Sequence, residues 1–187
     1  NETELLSALE QGEIEAVNAI TPEKAKMALA ITGTHLETYS LPRTFGVFLN
    51  QNQNTIFAEK PVREALAVSL DRARIVASVL RGYGTALRGP LPPGSLGFSA
   101  EGNREAPSEA TSTLEQAKNI LKKAGWKLNE KTGILVKKIK GGEEKLSFSL
   151  ALPETEELRA VAELAKEQWE KLGAEVTLRV FEAGDLQ

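Results

Sequence analysis

VREALAVSLDRARIVASVLRGYGTALRGPLPP, residues 62–93, is the stretch that decides the fold of this chain. Apolar residues recur at helical spacing on both sides of Asp71, which predicts two amphipathic helices with Asp71 as the cap of the second. Gly82-Tyr83-Gly84 follows a helix and lacks the lysine of a phosphate-binding loop, so it is interpreted as a helix stop. A loop rich in glycine and proline then extends to residue 112.

Upstream of this stretch, short helices are expected to alternate with extended segments. The periodicity predicts helices over residues 3–9 and 25–31, ended by Gly12 and Gly33, and extended segments over residues 14–20, 35–41 and 45–50. Thr21 lies directly before Pro22, so its hydroxyl is expected to cap the second helix. Pro42 interrupts the extended pattern, and we expect the chain to cross between two lobes after it, at residues 45–50.

Downstream, the clearest signal is a strand, a helix and a second strand. Residues 146–152 and 175–181 have strand-like patterns, and the helix between them, residues 154–172, ends at Gly173. This βαβ unit predicts two parallel strands joined by a right-handed crossover. Trp169 lies on the apolar stripe of the helix, so packing in the core is expected for it.

A helix and a hairpin are expected between the long loop and the βαβ unit. Residues 113–124 have helical periodicity and end at Gly125. Trp126 follows this helix, and its position is compatible either with packing in the core or with contact to a ligand. Residues 134–139 and residues 146–152 flank Lys140-Gly141-Gly142-Glu143-Glu144, which predicts a hairpin between those two segments.

Composition excludes several classes of function. The chain has 187 residues, no cysteine and a net charge of −3, from 23 basic and 26 acidic residues that we expect to be mixed without a basic stripe. Without such a stripe no nucleic-acid partner is expected, because counterion release drives that binding. The absence of cysteine excludes disulfides and thiolate chemistry. No apolar run approaches the roughly 20 residues of a membrane-spanning helix, and the start at Asn1 indicates a piece of a longer polypeptide.

The sequence contains no recognisable catalytic or metal-binding constellation. His35 is the only histidine and lies in a strand-like segment, so a surface or packed histidine is favoured over a metal ligand. No serine lies in a Gly-x-Ser-x-Gly turn with a histidine base. Asp71 and Arg72 are interpreted as structural, with Arg63 in the same surface network. We therefore expect no catalytic residue, no cofactor and no metal.

Several blocks of the sequence together resemble the family 5 extracellular solute-binding proteins, the dipeptide and oligopeptide receptors of ABC importers. The blocks are Leu9-Glu10-Gln11-Gly12-Glu13-Ile14-Glu15-Ala16, Phe48-Leu49-Asn50, residues 62–72, residues 82–93 and residues 117–126. Thr111-Ser112-Thr113-Leu114 departs from the family pattern, in which a Tyr-Asp-Pro turn is frequent. The resemblance covers essentially the whole chain, but the chain corresponds only to a middle portion of such a receptor.

The resemblance implies an α/β fold of the type 2 periplasmic-binding-protein class, with a mixed sheet flanked by helices. Residues 1–44 would be a remnant of the first lobe, and residues 45–187 would be the second lobe, incomplete at its C-terminus. The implied protein is bacterial and periplasmic or extracellular, and it captures a peptide or another small solute by closing its lobes. It would deliver that solute to the permease subunits of an ABC transporter. Membrane contact would come only through a lipid anchor or permease docking.

A regulatory or interaction module that senses a solute with the same fold is the alternative to transport. An enzyme is disfavoured by the missing catalytic constellation. A basic helix-turn-helix ahead of Asn1 would favour regulation, whereas a signal peptide with a lipid-attachment cysteine would favour transport.

Four residues are candidates for contact with the ligand. Arg43 and Asn50 flank the expected crossing between lobes, and Tyr83 and Arg88 lie in the long loop. An arginine can bind a carboxylate through two hydrogen bonds, and an asparagine or a tyrosine can orient a peptide amide. Hinge packing is the alternative role for Asn50. Since the chain supplies only part of a cleft, we do not expect it to bind a ligand tightly by itself.

Overall fold

The computed structural model describes residues 1–39, 41, 43–99 and 110–182, without the side chains of residues 110–112. Pro42 and residues 100–109 therefore lie outside the described residues, as do the side chains of Thr111 and Ser112 in the block that departs from the family pattern. The helices are α1 Glu2–Glu10, α2 Pro22–Ala30, the 3-10 helix Thr55–Ala58, α3 Lys60–Ser69, α4 Arg72–Ser78, α5 Ala110–Lys123 and α6 Glu156–Leu172. The strands are β1 Lys127–Leu128, β2 Leu135–Ile139, β3 Gly142–Lys145, β4 Ser147–Pro153 and β5 Glu175–Phe181.

Helices α1 and α2 form an N-terminal pair, as the periodicity predicts. Asn1 caps α1 through a capping box with Glu4, which satisfies donors that a helix N-terminus leaves unpaired. Thr21 does not cap α2 with its side chain, so that prediction is wrong. Its hydroxyl instead donates to Glu2 Oε2 at 2.7 Å, and its backbone nitrogen donates to Glu2 Oε1 at 3.2 Å. The Glu2 carboxylate thus ties the N-terminal ends of both helices together.

The three extended segments predicted in the first fifty residues do not form strands among the described residues. Residues 14–20, 35–41 and 45–50 have alternating or apolar patterns, but a strand also requires a neighbour that completes its backbone hydrogen bonds. The five strands of the described chain all lie beyond residue 126, where they pair with one another. In this part of the chain, an alternating pattern of apolar and polar residues is therefore not sufficient to predict a strand.

Helix α3 follows the predicted amphipathic pattern, whereas α4 ends earlier than predicted, at Ser78, and has no fully buried residue. Val62, Ala65, Leu66 and Ser69 form the buried face of α3. Asp71 Oδ1 accepts the backbone N–H of Arg74 at 2.8 Å, so Asp71 caps α4 as expected. Arg63 does not join Asp71 and Arg72 in one surface network, contrary to the prediction. Its guanidinium donates to the carbonyl oxygens of Phe57 and Ala58, at 2.6 and 3.1 Å, at the end of the 3-10 helix.

Helix α5 begins at Ala110, earlier than the predicted residue 113, and ends as predicted at Gly125. Gly125 has φ +91°, a left-handed conformation that favours glycine. Trp126 then donates its backbone N–H to the carbonyl of Leu121 at 3.0 Å, which closes the helix end in the manner of a Schellman motif. This turn directs Trp126 back into the core.

The predicted hairpin forms, but with a different partner strand. Strand β2 pairs antiparallel with β3, and Ile139 lies opposite Gly142 across the turn at Lys140-Gly141. The sequence predicts residues 146–152 as the partner, whereas β4 belongs to the second sheet. Glu143 and Glu144 belong to β3 and point to opposite faces of the sheet, and Glu144 Oε1 accepts the hydroxyl of Thr55 at 3.1 Å.

The C-terminal βαβ unit is confirmed. Strands β4 and β5 are parallel and in register from Ser147↔Glu175 to Pro153↔Phe181, with α6 between them. Helix α6 ends at Gly173, whose φ of +106° allows its N–H to close the helix. Two parallel strands require a crossover connection, and α6 supplies it between β4 and β5.

The core lies where α3, α5, α6 and the β4–β5 sheet meet. The indole of Trp169 is 1% exposed and donates Nε1–H to the carbonyl of Leu66 at 3.0 Å. Phe148 packs edge-on against Trp169, with ring centroids 5.4 Å apart, and Phe57 packs edge-on against Phe148 at 5.3 Å. The prediction that Trp169 packs in the core is confirmed.

Trp126 is also a core residue, which resolves its open assignment. Its side chain is 1% exposed and donates Nε1–H to Glu59 Oε2 at 3.3 Å. Glu59 also forms a half-buried ion pair with Lys137, in which Nζ and Oε1 are 2.7 Å apart. These contacts join the start of α3 to the end of α5 and to β2.

Two polar contacts join α4 to α6. The buried Gln168 accepts the backbone N–H of Asp71 through Oε1, while its Nε2 has no partner among the described residues. Arg74 lies 3.5 Å from Glu167, which also accepts a hydrogen bond from Lys171. The Lys171 hydrogen bond, followed by the charge of Arg74, lowers the pKa of Glu167 below its usual value.

Replacing Trp169 by Phe is expected to lower the free energy of unfolding by about 1–3 kcal/mol, since the indole hydrogen bond and part of the buried ring are lost and the carbonyl of Leu66 keeps only the Ser69 hydroxyl. Trp126→Phe is the matched control, because Glu59 keeps its ion pair with Lys137 when the indole N–H is removed. Urea denaturation followed by circular dichroism measures both variants. An equal or larger loss for Trp126→Phe would contradict the assigned role of Trp169.

Gly173→Ala is expected to destabilise the protein by about 1–2 kcal/mol, the cost of left-handed backbone for a residue with a Cβ. An added Cβ would also lie 3.0 Å from Leu135 Cγ, which requires the leucine to move. Gly142→Ala serves as the control, because an added Cβ there meets nothing within 4 Å and φ is not positive. If both substitutions had the same effect in thermal denaturation, this explanation of Gly173 would be wrong.

Candidate functional site

An open concavity of about 520 Å³ lies between α2 and the end of α4. Its lining residues are Pro22, Lys26, Leu29, Ala77, Arg81, Gly82 and Tyr83. One wall therefore comes from the N-terminal helix pair, and the other comes from the turn that begins the long loop. A concave surface with an apolar floor and a few polar groups is the usual form of a small-molecule site.

Two cations line this concavity without an ion-pair partner among the described residues, namely Lys26 and Arg81. In contrast, several other cations of the described chain are compensated, for example Lys60 by Glu64 and Lys137 by Glu59. Two uncompensated positive charges at one concavity attract an anion, and Arg81 can bind a carboxylate through two parallel hydrogen bonds.

Arg81 adopts left-handed backbone with φ +49°, an unusual conformation for a residue with a side chain. It directly precedes Gly82, which has φ +86°, and Tyr83 donates its backbone N–H to the carbonyl of Leu80 at 2.8 Å. These two consecutive residues with positive φ lie just beyond the end of α4 and form the turn that lines the concavity. Residues held in such conformations cluster at ligand sites, where the surrounding structure enforces them.

The remaining lining is mainly apolar. Tyr83 is 44% exposed and Leu29 is 53% exposed, so both side chains retain surface that a ligand can cover. The tyrosine hydroxyl offers both a donor and an acceptor. The combination suits an elongated solute with an anionic end and an apolar or amide-containing body.

Of the four residues predicted to contact a ligand, Tyr83 lines the concavity and the other three do not. The guanidinium of Arg43 lies 6.0 Å above the ring of Phe45. Asn50 Oδ1 accepts the backbone N–H groups of Asn52 and Gln53, at 3.0 and 3.2 Å, in a local turn. Arg88 is exposed in the long loop. The structure thus does not bring the four residues together at one point.

Lys26 and Arg81 do not stand out from the sequence. An exposed cation on a helix or at a helix end is common, and its usual role is solubility or interaction with the helix dipole. Only the packing of α2 beside the end of α4 brings the two residues to one concavity. A glycine after Arg81 is the single local signal, because it indicates a tight turn at that point.

The segment between the two predicted crossing residues exposes apolar side chains. Phe45 and Phe48 are 60% and 95% exposed, and Tyr39 and Leu41 upstream are also exposed. The cluster lies in the extended region that finds no strand partner in the described chain. Exposed apolar runs of this kind mark surfaces that another polypeptide segment or a ligand covers.

Neither a metal site nor a membrane-spanning helix is found among the described residues. The described part of the chain contains no group of three or more histidine, aspartate or glutamate side chains that could hold a metal ion. His35 is exposed, with Nε2 3.6 Å from Glu37 Oε1, so it is a surface histidine as the sequence favours. No described helix combines the length and hydrophobicity needed to cross a bilayer.

Curated relatives of this chain are oligopeptide-binding proteins. Oligopeptide-binding protein AppA of Bacillus subtilis (strain 168) is 33% identical over 138 residues, which are 73% of this chain and 24% of AppA. Oligopeptide-binding protein OppA of Lactococcus lactis subsp. lactis (strain IL1403) is 27% identical over 77% of this chain and 22% of OppA. The chain thus spans about a quarter of the length of these relatives. Their names describe binding proteins, in agreement with the prediction that the chain is not an enzyme.

Solved structures agree with the predicted fold class. The structure of AppA from Bacillus subtilis in complex with a nonapeptide superposes with a TM-score of 0.68 at 29% identity, over 96% of this chain and 34% of that one. NikA from Brucella suis, in complex with Fe(III)-EDTA, superposes with a TM-score of 0.75 at 21% identity, over 97% of this chain and 35% of NikA, which supports the fold alone. Both have the type 2 periplasmic-binding fold. Since residues 1–186 also match the model of the bacterial extracellular solute-binding proteins, family 5 Middle, the chain belongs to that family.

Proposed function

We propose that the protein is the substrate-binding component of an ABC-type importer, and that it captures peptides or a similar small solute outside the cytoplasm. The observation that carries the proposal is a concavity with two uncompensated cations, Lys26 and Arg81, in a chain of the solute-binding family. A free peptide always ends in a carboxylate, so this charge pattern suits a peptide better than a neutral sugar. The relatives AppA and OppA, named as oligopeptide-binding proteins, support the same substrate class.

The two walls of the concavity belong to the two proposed lobes. Residues 1–44, which contain α2, are a remnant of one lobe, and residues 45–187, which contain α4 and the long loop, form the other. A ligand that contacts Lys26 on one side and Arg81 on the other gains both contacts only when the walls approach. Its binding free energy then shifts the hinge equilibrium toward the closed state. The closed state is the form that the protein would present to the permease.

The individual roles follow from side-chain chemistry. Arg81 binds the ligand's terminal carboxylate through two hydrogen bonds, and Lys26 adds a second positive charge from the facing helix. Tyr83 orients a peptide amide through its hydroxyl. Arg43, Asn50 and Arg88 are further proposed contacts at the edge of the cleft, reached on closure. Asn50 would keep its local turn, since its amide nitrogen stays free of the two hydrogen bonds that its oxygen accepts.

Delivery completes the proposed role. The closed receptor docks on permease subunits in the membrane, where opening releases the solute. A periplasmic or extracellular location agrees with the family, whose members are described as extracellular. A lipid anchor or the permease itself would then be the connection to the membrane.

In the full-length protein, Arg81→Gln is expected to weaken binding of a short peptide roughly 10- to 100-fold, as one charge-assisted contact is lost. Isothermal titration calorimetry with a peptide of defined sequence measures the effect. Lys60→Gln is the matched control, because Lys60 is an exposed cation outside the concavity and pairs with Glu64. A C-terminally amidated peptide should bind the wild type about as weakly as the free acid binds Arg81→Gln.

Two results would contradict different parts of the proposal. If the amidated peptide bound the wild type as well as the free acid did, Arg81 would not recognise the terminal carboxylate. The proposal that the protein binds peptides would still hold. If the native protein neither bound peptides nor carried a small solute through purification, as judged by native mass spectrometry, the receptor function itself would be wrong.

A further inference from the structure

Positive charge is concentrated in one part of this acidic chain, contrary to the expectation of even mixing. Nine of the 23 basic residues and only three of the 26 acidic residues lie between residues 118 and 145. This segment therefore carries a formal charge of +6, whereas the remaining residues sum to −9. All nine cations are lysines. The segment comprises the last six residues of α5 and the whole of the β1–β2–β3 sheet.

The register of this sheet places lysines together on its outer face. Lys127 and Lys145 lie on either side of Val136 in one cross-strand row. Lys138 occupies the next row on the same face, opposite Glu143, because residues two apart on a strand point the same way. The aliphatic stems of such lysines can cover Val136, which is only 8% exposed although it lies on this face.

Further lysines border this face. Lys122 and Lys123 form the last turn of α5, where they also complement the negative end of the helix dipole, and Lys140 lies in the β2–β3 turn. We define the lysine patch as the three face residues and these three neighbours: Lys122, Lys123, Lys127, Lys138, Lys140 and Lys145. All six are exposed.

The lysine patch is electrostatically uncompensated within the described part of the chain. None of its six ammonium groups lies within ion-pair distance of a described carboxylate. Helix α6 shows the opposite arrangement, in which Lys166 and Lys171 pair with Glu170 and Glu167 one turn away. Repulsion among the unpaired ammonium groups destabilises the folded protein, and binding of an anionic partner would reduce this repulsion.

The composition of the patch decides between kinds of anionic partner. Protein interfaces are depleted in lysine and enriched in arginine and aromatic residues. The patch consists of lysines and contains no arginine and no aromatic residue, so it does not resemble such an interface. Single-stranded nucleic acid needs exposed aromatic rings for base stacking, and the nearby Trp126 is buried. A lysine-only surface suits attraction to a charged plane, in which many point charges act together without fixed pairing.

We propose that the lysine patch holds this end of the protein against an anionic lipid bilayer. The proposal goes beyond solute capture and does not depend on it. Attraction works despite the net negative charge of the chain, because at physiological salt charges more than about 8 Å from the membrane are largely screened. The patch thereby orients the molecule, with the β1–β2–β3 sheet toward the lipid and α6 away from it.

Vesicle co-sedimentation of the full-length protein, prepared without covalent lipid, tests the proposal. The wild type is expected to bind vesicles of phosphatidylglycerol and phosphatidylcholine in equal amounts, and to be released when salt reduces the Debye length to about 3 Å. Lys127→Gln, Lys138→Gln and Lys145→Gln together should reduce partitioning about a hundredfold or more. The control combines Lys60→Gln, Lys166→Gln and Lys171→Gln, which removes the same charge from paired lysines elsewhere.

Any of three results would overturn the proposal. The first is equal partitioning of the two triple variants, which would mean that net charge and not the patch decides binding. The second is equal binding to vesicles of phosphatidylcholine alone. The third is no binding of the wild type to the anionic vesicles, including the case in which it binds heparin or an acidic protein instead. Circular dichroism of both variants confirms that loss of binding does not reflect unfolding.

Discussion

The indole of Trp169 makes the contact on which the rest of the core depends. It joins the C-terminal βαβ unit to α3, because its N–H satisfies the carbonyl of Leu66 and its ring packs against Phe148. Trp169 and Leu66 are 103 residues apart in the sequence. The carbonyl of Leu66, near the end of α3, accepts the indole N–H beside the hydroxyl of Ser69, so hydrogen bonding and apolar burial favour the same arrangement of α3, α6 and β4.

The position of the candidate site follows from this core. Helix α3 is held against α6 by Trp169, and Asp71 then begins α4 while its backbone N–H donates to Gln168 of the same α6. The end of α4, with Arg81 in left-handed backbone, is therefore placed by contacts several turns away from the concavity. This arrangement gives the ligand-facing turn a rigid support, which a receptor needs if binding is to shift a hinge and not merely order a loop.

Charge is divided between two parts of the chain with different roles. The cations at the concavity, Lys26 and Arg81, are few and lie beside apolar surface, which suits recognition of a discrete anionic group. The lysine patch is larger, lacks arginine and lies on an outer sheet face, which suits a diffuse anionic surface. The same total of 23 basic residues therefore supports two distinct kinds of interaction, and net charge alone describes neither.

Sequence patterns predicted the local features that depend on near neighbours. The Asp71 cap, the buried face of α3, the Gly125 and Gly173 helix ends and the parallel βαβ unit all follow from residues a few positions apart. The errors share one feature, since each concerns which partner a side chain or strand selects. Thr21 bonds to Glu2, Arg63 bonds to the 3-10 helix, and β2 pairs with β3 while β4 pairs with β5.

The candidate site, like the fold, could be predicted from the sequence only in part. Tyr83 could be chosen from sequence because it lies in a glycine-rich loop after a helix, but the partners Lys26 and Arg81 could not. The sequence by itself determined the helices, their ends, the crossover unit and the family, because periodicity, capping and motif order are local properties of the chain. Only the tertiary structure decided which strands pair, which cations meet at a concavity and which stay uncompensated, because those depend on contacts between residues far apart in sequence.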